Sequence, residues 1–269
     1  GSGLPGTLIY WGNPRAHYST ASVTHLPTLG DTMASADFDQ NGYVDMIYPN
    51  GEIYWNGPDG FSAANVTRIK MDALGVSTAD VNHDGYLDLL SADRKPTASG
   101  GGVVGWIHWG SAEGFDDQNT SRLPLHARGC TAPTAADLNK DGYLDLLFPD
   151  GLSFNLDLFF GDATGTFDPK RSQHLKVNTA ATVEMADLNG DGWLELLLGG
   201  VYDENNYGRP VKHAQLLWGS PDGYDPKRMT RLEAYESEEQ VIADLNKDGF
   251  LDIVLTNYHG HTTRSIPIF

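Results

Sequence analysis

One nonapeptide pattern governs this chain. It reads "DFDQNGYVD" from Asp37, "DVNHDGYLD" from Asp80, "DLNKDGYLD" from Asp137, "DLNGDGWLE" from Asp187 and "DLNKDGFLD" from Asp244. Successive copies start 43, 57, 50 and 57 residues apart. A second motif keeps the same phase, as "LIYWG", "IYWNG", "IHWGS", "LFFGD" and "LLWGS". A period of about 50 residues over nearly the whole chain implies stacked units that bury their apolar faces on one another.

Each unit reads as β. "GYLDLLF" and "GFLDIVLTN" are short β-rich runs bounded by turn residues, and "SPDGY" is a tight turn in which Pro fixes φ and Gly accepts positive φ. No sustained 3.6-residue apolar period is present. Four short strands per unit predict an all-β fold, a β-propeller of four-stranded blades. Five acidic loops predict five blades, the alternative being a fragment of a six- or seven-bladed ring. Residues 7–269 read as one propeller domain. Closure would use an N-terminal strand, around Thr7–Trp11 or Ser19–Leu26, to complete the last blade. Residues 1–6 read as an irregular start, with Gly1-Ser2-Gly3 an expression remnant that leaves room for a removed export signal.

The loops concentrate charge beside segments that want burial. Positions 1, 3, 5 and 9 carry oxygen side chains in all five copies, and position 6 is glycine. Hard cations such as Ca²⁺ take six to eight oxygens, and a backbone carbonyl at position 7 can add one. The expected calcium ligands are therefore Asp37, Asp39, Asn41, Tyr43 and Asp45 in the first loop, and Asp80, Asn82, Asp84, Tyr86 and Asp88 in the second. They continue as Asp137, Asn139, Asp141, Tyr143 and Asp145; Asp187, Asn189, Asp191, Trp193 and Glu195; and Asp244, Asn246, Asp248, Phe250 and Asp252, giving up to five structural Ca²⁺. No Cys or His recurs in the set, which argues against zinc or copper. An EF-hand is excluded because position 12 is never Glu and a strand follows the loop. The competing reading is a metal-free turn rich in Asp and Asn, but five copies with the same oxygen positions favour the metal. The first loop, with Asp39 and Asn41 exchanged, and the fourth, with Glu195, are expected to bind less well.

Together the D-x-[DN]-x-[DN]-G-x-x-[DE] loops and the Trp-Gly or Phe-Gly segments resemble the FG-GAP/VCBS repeats of bacterial surface proteins, fungal lectins and the integrin α-subunit propeller. The resemblance implies that each calcium loop joins the first and second strands of a blade. It also implies an extracellular or cell-surface recognition module.

A net charge of −18 makes nucleic acid and anionic membrane surfaces poor partners. No apolar run is long enough to span a membrane as a helix. Lone Cys130 excludes an internal disulfide. Irregular length falls in the connections between second and third strands, on the face opposite the calcium loops, and loops on a rigid scaffold carry binding. Arg94, His126, Arg128, Tyr202, Asn205, Tyr207, Arg209, Tyr235, Tyr258 and His259 are the ligand-binding candidates there. Their mixture of amide, aromatic and charged groups suits carbohydrate. The alternatives are protein–protein adhesion or a propeller polysaccharide lyase, although no nucleophile motif, phosphate loop or dinucleotide fingerprint is present and a binding module is favoured. Trp11, Trp55, Trp109 and Trp218, with Phe160 in the same series, read as packing between blades; Trp106 falls outside that register.

Overall fold

The apolar run behind each of the first four acidic loops becomes a strand covered on both faces, which is why it reads as nearly continuous apolar sequence. The computed structural model describes residues 6–15, 18–30, 32–95, 102–200, 202–203, 206–237 and 239–257. The first ladder pairs β1 (Thr7–Tyr10) with β2 (Val23–Leu26). Four antiparallel sheets of four strands follow. Sheet one contains β3 (Ala34–Ala36), β4 (Asp45–Ile47), β5 (Glu52–Tyr54) and β6 (Val66–Arg68), and sheet two β7 (Ala73–Ala79), β8 (Asp88–Asp93), β9 (Val104–His108) and β10 (Thr120–Pro124). Sheet three contains β11 (Thr134–Ala136), β12 (Asp145–Pro149), β13 (Asn155–Phe159) and β14 (Ser172–Lys176). Sheet four begins with β15 (Ala180–Ala186) and β16 (Glu195–Gly200). A hairpin of β17 (Tyr202–Asp203) and β18 (Asn206–Pro210) follows, then β19 (His213–Leu217) and β20 (Met229–Glu233) complete the sheet. A final ladder pairs β21 (Gln240–Ala243) with β22 (Asp252–Leu255).

Within every sheet the strands meander in chain order, and first strands of successive sheets touch: β3 with β7, β7 with β11, β15 with β21. The cores lie between sheets. Val81, Leu90 and Leu123 of the second unit pack with Phe148 and Phe159 of the third, and Leu147 and Leu158 pack with Leu196 and Leu217 of the fourth. This is a propeller-like succession of blades, each acidic loop joining its first and second strands. At the inner edge the backbones come so close that a Cβ on Gly75 would sit 1.7 Å from the Thr131 carbonyl oxygen.

The in-phase tryptophans hold one position. Trp11, Trp55, Trp109 and Trp218 donate their indole N–H to Thr24, Thr67, Ser121 and Thr230 at 2.8–3.0 Å. Because the first of these bonds joins β1 to β2, that ladder is a third-and-fourth-strand pair. Trp11 also stacks on Phe61 of the next sheet, with ring centroids 6.3 Å apart. Conversely β21–β22, with its acidic loop, is a first-and-second-strand pair. Among the described residues, β22 pairs with β21 and β1 with β2. The closing segment "RSIPIF" lies outside the described residues.

Candidate metal loops and ligand face

Each loop is wound by its own side chains. In the third, the Asp137 carboxylate accepts the N–H groups of Asp141 at 3.1 Å and Gly142 at 3.0 Å. Asn139 accepts from Asp141 N–H and Asp141 from Tyr143 N–H, both at 2.9 Å. The second and fifth loops repeat this set. Such winding needs two left-handed residues. Glycine at position 6 has φ of 85–91° in all copies, and position 4 is left-handed too, as Gln40, His83, Lys140, Gly190 and Lys247. A non-glycine residue adopts that backbone at a cost, so position 4 is a constrained site that the nonapeptide reading missed.

Position 9 is the stitch between loop and sheet. Asp145 is fully buried. One of its oxygens accepts from Leu138 N–H at 2.8 Å and the other from Gly161 N–H at 2.9 Å. Asp45, Asp88 and Glu195 make the equivalent pair of bonds. Burial pushes the Asp88 and Asp145 carboxyls up to about 6, against the opposing pull of the backbone N–H bonds. Asp45 and Glu195 are raised for the same reason.

In the first loop the donor set fits a hard cation. Carboxylate oxygens of Asp37, Asp39 and Asp45 converge within 4.8 Å of one another. In the fourth loop Asp187 Oδ1 is buried without a hydrogen-bond partner, and the buried position-9 carboxylates are costly to charge without a nearby positive ion.

Neighbouring loops are also tied together through position 4. The Gln40 amide donates to the Gly85 carbonyl at 2.7 Å, the His83 ring stacks on Tyr143 at 6.1 Å, and Lys140 Nζ lies 4.5 Å over the Trp193 ring. The series stops at Gly190, which has no side chain to offer, and Phe250 in the next loop is 75% exposed.

On the opposite face, the described candidates are mostly engaged. Arg94 bonds the Asp72 carboxylate at 3.1 Å and the Ala73 carbonyl at 2.9 Å. His126 lies against Asp157, Arg128 N–H donates to Asp150 at 2.9 Å, and Tyr235 N–H donates to Asn257 at 2.8 Å. Tyr202, Tyr207 and Arg209 belong to the β17–β18 hairpin, whose backbone alone is described. Asn205, Tyr258 and His259 lie outside the described residues.

A cavity of about 290 Å³ opens on the second sheet beneath the connection that enters it, bounded by Lys70 and Asp72 from that connection, Ser91 and Asp93 of β8, and Trp106 and His108 of β9. The Trp106 indole donates to Asp93 at 2.7 Å, and the Arg122 guanidinium lies 4.5 Å from its ring centroid. Burial pulls the His108 imidazole below its usual range. Trp106 does stand outside the aromatic series, but it holds a repeating position of its own. It stands three residues before the repeating aromatic, where the other sheets carry Glu52, Asp157 and Gln215. The cross-strand partners there are Arg68, Arg122, His174 and Arg231.

Residues 37–91 match the family model for the FG-GAP-like repeat. Among curated relatives, T-cell immunomodulatory protein of Homo sapiens is 31% identical over 126 residues, 46% of this chain and 20% of that protein. The Mus musculus protein of the same name is 30% identical over 126 residues. The aligned region thus spans about a fifth of the length of these relatives. Among solved structures, BBS1N in complex with ARL6DN superposes with a TM-score of 0.51 at 12% identity, over 93% of this chain and 72% of that one. That likeness concerns the fold alone. The loop-and-strand unit that matches this repeat model at residues 37–91 recurs along this all-β chain.

Proposed function

We propose that this chain is a calcium-stabilised propeller module that recognises carbohydrate on the face opposite its acidic loops, outside the cell or at its surface. The five loops hold structural Ca²⁺, and extracellular modules typically work with calcium affinities near 10⁻⁴–10⁻³ M. On this reading β21–β22 and β1–β2 are complementary halves of a fifth blade in one domain. One pair supplies the first two strands and the other the last two.

The cavity beside Trp106 carries the carbohydrate reading. A sugar presents an apolar ring face and a belt of hydroxyls, and this cavity offers an indole beside two carboxylates and a lysine. A glycan array probed with the calcium-loaded protein and with Trp106→Ala tests it. The expected result is a defined set of glycans bound by the wild type and lost in the variant, with unchanged melting behaviour. Binding that Trp106→Ala leaves intact would overturn the site, and no glycan bound at all would overturn the ligand class. The similarity to T-cell immunomodulatory proteins supports a second reading, a protein partner on the same face.

A further inference from the structure

At the boundary of the second and third sheets, the connection after β10 brings His126 onto the pair Asp157–His174, which are directly opposed across β13 and β14. We propose that His126, Asp157 and His174 form a site for a transition-metal dication of the zinc class, distinct from the acidic loops. One ligand atom from each residue lies within 4.8 Å of the others. Nδ1 of His174 is 2.6 Å and Nδ1 of His126 is 3.3 Å from the same oxygen, Asp157 Oδ1.

Ser172 Oγ bonds the Pro169 carbonyl at 2.6 Å, which uses its only hydrogen, so its contact with His174 Nε2 at 3.1 Å has the ring as donor. The neutral His174 ring in that tautomer turns the lone pair of Nδ1 toward Asp157 Oδ1, the form that ligates a metal, and one ion there can be shared by all three residues. Tetrahedral zinc with bonds of about 2.0–2.1 Å sets its ligands about 3.3 Å apart, which is the His126–Asp157 spacing; His174, partly exposed, has room to open to it.

The carboxylate is held in place for this role. Asp157 is fully buried, and its other oxygen accepts the backbone N–H groups of His126 at 2.7 Å and Ala127 at 3.2 Å. The Asn155 amide donates to the His126 carbonyl at 3.1 Å, fixing that residue from the other side. In the fourth sheet Gln215 makes the same latch, accepting from Asn178 N–H at 2.7 Å. An amide therefore suffices to join the sheets, and the charge of Asp157 is surplus to that task. Three of the four sheets carry arginine at the position opposite, as Arg68, Arg122 and Arg231; the third carries histidine, the one choice that can ligate. Both rings reach solvent, with a cavity of about 480 Å³ alongside from which water can complete the coordination.

The test is a calorimetric titration of Zn²⁺ into the wild-type protein held in excess Ca²⁺, repeated with His126→Ala and His174→Ala. One Zn²⁺ per chain is expected, undiminished by further Ca²⁺. Each substitution should weaken it by about 100-fold or more, since loss of an outer hydrogen-bond partner alone costs 10–100-fold. Co²⁺ in place of Zn²⁺ should give the intense visible bands of a tetrahedral nitrogen–oxygen site. Absence of stoichiometric binding would overturn the site, as would full affinity in either folded variant. Should His174→Ala fail to fold, the more exposed His126 still decides the question.

Discussion

Asp88 and Asp145 make the acidic loops responsive to pH in a direction that depends on the cation. Burial raises each carboxyl from 3.8 to about 6. A rise of about two units corresponds to about 3 kcal/mol per group. The folded, cation-free protein holds these protons more tightly than the unfolded chain does. The stability they confer is therefore complete below about pH 3.8 and is lost as pH rises through about 6. Asp45 and Glu195 act in the same direction. At 2–4 °C per kcal/mol for a chain of this size, each of the two aspartates is worth roughly 6–12 °C in melting temperature. With Ca²⁺ bound the sign reverses. Each loop at about 100-fold over its Kd adds about 2.7 kcal/mol, and acidification expels the ion. Melting should be followed by fluorescence from pH 7.5 to 4.5, once in chelator and once in millimolar Ca²⁺. The two curves should slope in opposite directions and lie furthest apart at neutral pH. Asp145→Asn should flatten the chelator curve, by removing one titrating group. A chelated protein that melts lower at each step of acidification from pH 7 would refute the reasoning. Coincident curves would refute the structural cation.

The remaining expectations concern the scaffold. Leu138, at position 2 of its loop, is buried against the core of the fourth unit, and urea denaturation should show Leu138→Ala losing about 2–5 kcal/mol. Gly75→Ala forces a methyl group onto the Thr131 carbonyl, and overpacking of this kind should cost about 1–3 kcal/mol or more in the same assay.

The regular features of this chain were legible because they repeat. Five nonapeptides in phase with five aromatic motifs predicted strands, turns and loop placement. The sheets follow that plan, down to the loop between first and second strands and the tryptophans facing the next unit. What stayed hidden depends on pairing across space. The left-handed residues at position 4 are Gln, His and Lys as well as Gly, so no single letter marks them. That the position of Trp106 recurs was hidden because its counterparts are Glu52, Asp157 and Gln215, which share only a place opposite a mostly basic residue. The β17–β18 hairpin lies in a segment read as loop, since "VYDENNYGRP" is too polar to announce strands. Asp157 and His174 were missed as a site because 17 residues separate them and only the β13–β14 register sets them face to face.

That register shows where a repeat protein keeps room for chemistry. Loop winding, the position-9 stitch and the indole bond to the fourth strand are common to most units, and changing any one weakens the unit that carries it. The cross-strand pair three residues before the aromatic is different. It is an ion pair at Glu52–Arg68, a cation–π contact at Trp106–Arg122 and a histidine–carboxylate contact at Asp157–His174. All three occupy equivalent places near a boundary between sheets. The backbone latch from the preceding connection is made by Asp157 in one unit and Gln215 in another, while in the second unit Asp117 takes it over by accepting from Lys70 N–H at 2.6 Å. Because the latch can be supplied by an acid, an amide or a different strand's neighbour, the residue at this position is released from holding the fold. Each groove can then acquire its own chemistry without cost to the repeat. On the proposed reading, ligand specificity belongs at these grooves, the Trp106 cavity and the His126–Asp157–His174 cluster, while the acidic loops that dominate the sequence hold the structure that presents them.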